Sequence, residues 1–113
     1  TPAYMAPEVI RKNYDAKADL WSTGVMVYQL LTNKLPYIDD PASASLDDVW
    51  EAILHKTIDF DEKLWQRYSP DARDFVAQLL RRNPAARPSA ADLLSHPWIE
   101  SSRYEYKTDE YFW

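Results

Sequence analysis

His55 and His96 are the side chains that a metal site or a general base would use first, and each stands alone, without partners at ligand spacing. The chain has no cysteine, which excludes disulfides and thiolate metal sites within it. The remaining chemistry sits in two short strings: TPAYMAPEV at Thr1–Val9 and NPAARPSAAD at Asn83–Asp92. On local reading Thr1 is a turn-capping hydroxyl, and Pro2 and Met5 are loop-packing residues. Glu8 and Arg87 read locally as two surface charges, a pair worth about 0–1 kcal/mol if exposed. Asp19 precedes an apolar run and suits the N-cap of a helix, where the dipole favours a carboxylate.

These residues need elements to position them, and the patterning points to helices. The only glycine among the 113 residues is Gly24, where average usage would give about eight. A sheet of this size needs tight turns with positive φ, which favour Gly or Asn. Proline and helix caps do the punctuation instead, so the expected fold is all-α. Pro7–Lys12 reads as a short helix or turn with Pro at its first position. DLWSTGVMVYQLLT (Asp19–Thr32) is apolar on nearly every side and predicts the buried central helix, with Trp21 and Gly24 as packing residues.

Leu35–Ser45 reads as loop, and LDDVWEAILHK as a helix with Leu46, Val49, Trp50, Ile53 and Leu54 on one face. TIDFDEKLWQRY has few clean periods and is expected to wrap the surface. Ser69-Pro70 predicts a helix start, followed by the stripe Phe75, Val76, Leu79 and Leu80. Ser89 to Asp92 predicts a capping box opening a last short helix. Residues 100–113 form a polar-aromatic tail without period.

Composition narrows the function classes. Hydrophobic residues make up 46% and aromatics 14%, with five Trp and eight Tyr, as in a globular domain. The net charge of −5, with no basic stripe, argues against nucleic acid. No apolar run approaches the roughly 20 residues needed to span a bilayer, so no membrane partner is expected. An intracellular location, cytoplasmic or nuclear, is the expectation.

TPAYMAPEV, DLWSTGV (Asp19–Val25), LPY (Leu35–Tyr37) and NPAARPSAADLLSHPW (Asn83–Trp98) follow one another in a fixed order. That order resembles the C-terminal lobe of eukaryotic Ser/Thr protein kinases, from the end of the activation segment to the last helix, over residues 1–99. The wording is most similar to the calcium/calmodulin-dependent group, including the plant and protist calcium-dependent kinases. The resemblance implies that Thr1 supports the catalytic Asp and Lys of a catalytic loop. Pro2 and Met5 would line the pocket for the substrate residue after the phosphoacceptor.

Glu8 and Arg87 would form a buried ion pair stapling the activation segment to the helices, and Asp19 would also accept backbone N–H groups of the catalytic loop. Gln29 stands where some basophilic relatives carry a Glu that binds an upstream Arg, which puts a preference for that Arg in doubt. His96 lies in a packing string, and no metal is expected.

Phosphoryl transfer needs a Gly-rich loop, an HRD-type loop and a DFG Asp. None occurs in the 113 residues. The opening string is therefore expected to be a cut edge, and the chain a piece inactive by itself. ATP and Mg²⁺ would belong to the intact parent, and the partners would be a Ser- or Thr-bearing protein substrate and the missing N-lobe and catalytic loop. The alternative is a non-catalytic helical docking module, from a pseudokinase or a natural truncation. On either account part of the central helix would lose its cover and expose an apolar patch.

Overall fold

A computed structural model describes residues 2–12, 15–40 and 42–101. Thr1 and the tail from 102 onward lie outside the described residues. Among the described residues every regular element is helical: a 3-10 turn at Pro2–Tyr4, then α1 (Pro7–Ile10), α2 (Lys17–Thr32), α3 (Leu46–His55), α4 (Glu62–Trp65), α5 (Pro70–Leu79) and α6 (Ala90–Leu93). A further helical turn covers 97–101.

The caps explain most of the boundaries. Pro7 opens α1 at its first position. Ser69 Oγ accepts the Ala72 N–H at the start of α5, and Ser89 with Asp92 forms a reciprocal capping box on α6. Ser45 and Asp48 build the same box on α3. Asn33 closes α2 in the left-handed region at φ 60, its N–H donating to Gln29 O at 2.8 Å.

Asp19 is not the N-cap of α2. The helix begins two residues earlier, its N-cap is Ala16, and Asp15 Oδ1 accepts the Lys17 N–H at 2.9 Å. Asp15 supplies the local acceptor, which frees Asp19 to sit inside the first turn, still at the positive end of the dipole.

α2 is the central helix, and its burial is one-sided. Trp21, Gly24, Val25 and Tyr28 pack inward, while Asp19, Thr23, Met26 and Leu30 form an exposed stripe. Leu30 is 80% exposed and Met26 55%, because nothing among the described residues covers that face. Met26 and Leu30 are the exposed large apolar side chains on this stripe, alongside the polar Asp19 and Thr23.

Against the buried face, α5 crosses at Gly24. A Cβ there would lie 2.7 Å from Leu79 Cβ and 3.0 Å from Leu80 Cδ2. Leu79 Cβ is fixed to its backbone and cannot swing away. Gly24 is the residue that lets the two helices approach.

The stretch 57–68 does more than wrap the surface. It delivers Trp65 into the core at 2% exposure. There Trp65 meets Tyr28 edge-on at 5.5 Å between ring centroids and stacks with Phe60 at 5.7 Å. Tyr28 Oη donates to Asp59 O at 2.8 Å and Trp65 Nε1 to the same carbonyl at 3.3 Å, so the polar tips of both rings are satisfied. The missing period reflects a cluster in which Phe60 comes from irregular backbone and Trp65 from the single turn of α4, both meeting Tyr28 of α2.

Two consequences are measurable. Gly24→Ala should gain about 1 kcal/mol of helix propensity and lose about 1–3 kcal/mol to overpacking. The expected net is a loss of about 0–2 kcal/mol in urea unfolding, and a more stable variant would refute the close-approach role. Burial, and then the charge of Asp59, push the Tyr28 hydroxyl up to about 12 from 10.0. A raised folded-state pKa means its stabilisation is complete below pH 10 and drains as pH rises from 10 through 12. Tyr28→Phe should therefore flatten the alkaline stability profile in that window. Superimposable wild-type and variant slopes would show that Tyr28 does not report folding there.

Candidate functional site

Glu8 and Arg87, one from each string, meet at the start of α2. Arg87 leaves the loop after α5 and is 1% exposed, while Glu8, on α1, is 5% exposed. Arg87 Nη1 donates to Glu8 Oε2 at 2.7 Å and Nη2 to Glu8 Oε1 at 3.0 Å, a bidentate fork. Nη1 also donates to Lys17 O at 2.7 Å, and Nε and Nη2 to Arg81 O at 3.0 and 2.9 Å. All five guanidinium donors are used. The guanidinium carbon lies 5.4 Å from the centre of the Trp21 ring, which shields one face of the pair.

Lys17 completes the arrangement by donating its Nζ to Arg87 O at 2.9 Å. Nothing in the spacing of the sequence marks Lys17 for this role. Its cue is only that it opens the helix against which the fork closes.

The 3-10 turn is held as tightly. Met5 N–H donates to Pro2 O at 3.2 Å, which brings the two residues expected to contact substrate onto one turn. Ser22 Oγ donates to Tyr4 O at 2.6 Å, Tyr4 Oη donates to Gln29 Oε1, and Tyr37 Oη donates to Ala3 O. Tyr37 itself stacks on Trp21 at 6.4 Å, and burial raises its hydroxyl pKa. The LPY string thus packs the ring of its tyrosine under the turn and bonds it to the backbone.

Between the turn and the start of α2 lies an open hollow of about 360 Å³, lined by Tyr4, Met5, Ala6, Asp15, Asp19 and Ser22. The Asp19 carboxylate accepts no hydrogen bond within the described residues and faces this hollow. Pro2 is exposed and Met5 half-buried, so the turn presents both to solvent. Thr1, the remaining residue of this group, lies outside the described residues.

The histidines are placed elsewhere. Trp98 N–H donates to His96 Nδ1 at 3.1 Å, which fixes the proton on Nε2, and Nε2 donates to Asp74 Oδ2 at 2.8 Å. That bond, ahead of any other influence, holds the Asp74 carboxyl below the usual carboxylate range. His96 also meets Phe75 edge-on at 5.2 Å. His55 is exposed, 3.8 Å from Glu51. Among the described residues no three His, Asp or Glu side chains gather as a metal site would require.

An all-helical body with a stapled entry string defines a class of protein, and the comparisons agree with it: the protein kinase domain family matches residues 1–99, and the chain belongs to that family. It is 46% identical over 99 residues to the serine/threonine-protein kinase PEPKR2 of Arabidopsis thaliana, covering 88% of this chain and 20% of that protein. It is 42% identical over 96 residues to calcium-dependent protein kinase 1 of Oryza sativa subsp. japonica, covering 85% and 18%. CDPK-related kinase 5 of Arabidopsis thaliana is 42% identical over 99 residues, covering 88% and 16%. The likeness to the calcium-dependent group therefore holds among curated relatives, and the chain spans a fifth or less of the length of these three.

Breaking the fork strands a buried charge, at about 3–5 kcal/mol, whereas replacing both partners by apolar groups is often close to neutral. Glu8→Leu and Arg87→Met should each destabilise the chain by about 3–5 kcal/mol, and the double variant by clearly less than their sum. Strict additivity in a denaturation cycle would show that the two groups do not depend on each other.

Proposed function

We propose that this chain is the helical, substrate-binding part of an ATP-dependent Ser/Thr protein kinase, whose ATP-binding and catalytic loops belong to the rest of the parent polypeptide. The observation that carries the reading is the buried Glu8–Arg87 fork, which holds Pro2–Met5 on the helical body with Pro2 and Met5 turned outward. A turn pinned by Ser22, Gln29 and Tyr37 is a firm platform for an extended peptide. The hollow beside it offers an unbonded carboxylate, Asp19, to backbone N–H groups of an incoming loop. On this reading Asp19 receives the catalytic loop, Thr1 supports its Asp and Lys, and Pro2 and Met5 contact the residue after the phosphoacceptor.

ATP and Mg²⁺ do not fit the residues at hand. The sequence has no Gly-rich phosphate loop, and no acidic cluster among the described residues could hold the ion. No step of the transfer is therefore assigned to this chain beyond holding the protein substrate. Residues 1–99 form the kinase portion and 100–113 a tail outside it, and the parent works inside the cell, in cytoplasm or nucleus.

The test joins sequencing to assay. The native transcript is extended upstream of the Thr1 codon, and its product is assayed for transfer of labelled γ-phosphate to Ser and Thr peptides. The expected outcome is an upstream HRD and DFG, Mg²⁺-dependent transfer by the intact product, and none by the 113-residue chain alone. An upstream region lacking those Asp residues, with no transfer, would replace the enzyme reading by the docking module.

A further inference from the structure

Arg82 is a cation that the reading above leaves unused. From the loop after α5 it reaches the far end of α3. There its Nε donates to Ile53 O at 2.7 Å, and its Nη2 donates to Ala52 O at 3.3 Å and to Lys56 O. Ala52 and Ile53 lie in the last turn of α3 and Lys56 is its C-cap, where partial negative charge collects; Ala52 O also accepts the Lys56 N–H at 2.9 Å. The Ile53 side chain is fully buried. The other end of α3 is closed by the Ser45–Asp48 box, and Arg82 ties the helix end to the loop that follows α5.

That loop has a second tie. Arg87, five residues on, clamps α1 through Glu8 and also takes Arg82 O at 3.5 Å. α3 packs mainly on the 3-10 turn at Pro2–Tyr4 and on α1. One loop therefore holds both helices that flank the turn, α1 by Arg87 and α3 by Arg82. The resemblance assigns a role to Arg87 alone.

We propose that Arg82 is a positioning residue for substrate binding: by fixing the end of α3 it sets the placement of the Pro2–Met5 turn that the peptide contacts. This rests on the kinase reading, since its functional readout is peptide affinity. A neutral side chain at 82 frees the end of α3 and loosens the turn, while leaving the fork and the hollow beside Asp19 in place. A lysine keeps the charge but loses the forked reach to three carbonyls.

The experiment uses Arg82→Met and Arg82→Lys in the intact gene product, with Ser89→Ala, a cap on α6 remote from α3, as the control for general loss of stability. The expected result is a rise of about threefold to tenfold in peptide KM for Arg82→Met, with ATP KM and kcat unchanged. Arg82→Lys should recover part of the loss, and Ser89→Ala should leave peptide KM at the wild-type value.

An unchanged peptide KM in Arg82→Met, or a parallel change in the Ser89→Ala control, would overturn the proposal. A wild-type product that transfers no phosphate would instead overturn the kinase reading. The positioning claim is then decided by amide NMR of the 113-residue chain. Shifts at Ala3, Tyr4 and Met5 in Arg82→Met support it, and unmoved signals there refute it.

Discussion

A guanidinium whose five donors are all engaged dictates the position of every group that accepts from it. Arg87 accepts no compromise of this kind because it is buried: each unfilled donor would carry the desolvation penalty of a charged group. Its acceptors lie on α1, at the start of α2 and in its own loop, so three segments are placed relative to one another by one side chain. Replacing so demanding a node by an apolar cluster could give equal stability. What such a cluster could not give is direction, since dispersion contacts tolerate rotations that a planar fork does not. The entry string is held in one orientation, and that orientation turns Pro2 and Met5 outward.

The helices were legible wherever the sequence carried a local reason for them. Ser69-Pro70 and the Ser89–Asp92 box announce their helices because capping chemistry acts within four residues. The same signal is present at Ser45–Asp48, where SLDD has the spacing of the later box. Asp19 was misplaced for a physical cause. Several carboxylates near a helix start can serve as the first acceptor, and Asp15 is the one whose oxygen reaches the Lys17 N–H. Periodicity carries no signal over 57–68, because Trp65 enters the core from the single turn of α4 with Phe60 packed against it from irregular backbone, and both are placed by a partner far off in sequence, Tyr28.

The site was legible in a different way. Nothing local distinguishes Glu8 and Arg87 from surface charges; only the resemblance joins them, and in the fold they stand 2.7 Å apart. Lys17, Tyr37 and Arg82 carried no such label. Their roles are donations to backbone carbonyls, and any carbonyl can accept, so no residue pattern encodes the pairing. Gln29 shows the converse. It was noted as a substitution, and its neighbour Tyr4 turns out to engage its side-chain oxygen directly.

Glu8 and Arg87 stand 79 residues apart in the chain. At about 5–20 residues per second of synthesis, roughly 4–16 seconds separate the appearance of the carboxylate from that of its partner. Throughout that interval the Glu8 carboxylate lacks the Arg87 guanidinium and α1 is too short to persist alone, while the partners that hold the turn, Ser22, Gln29 and Tyr37, are made before Arg87. The fork is the last of the ties on the entry string whose partner is synthesised. It thus comes last in time although it is the most directional of those ties, a clamp added to a string whose other partners precede it.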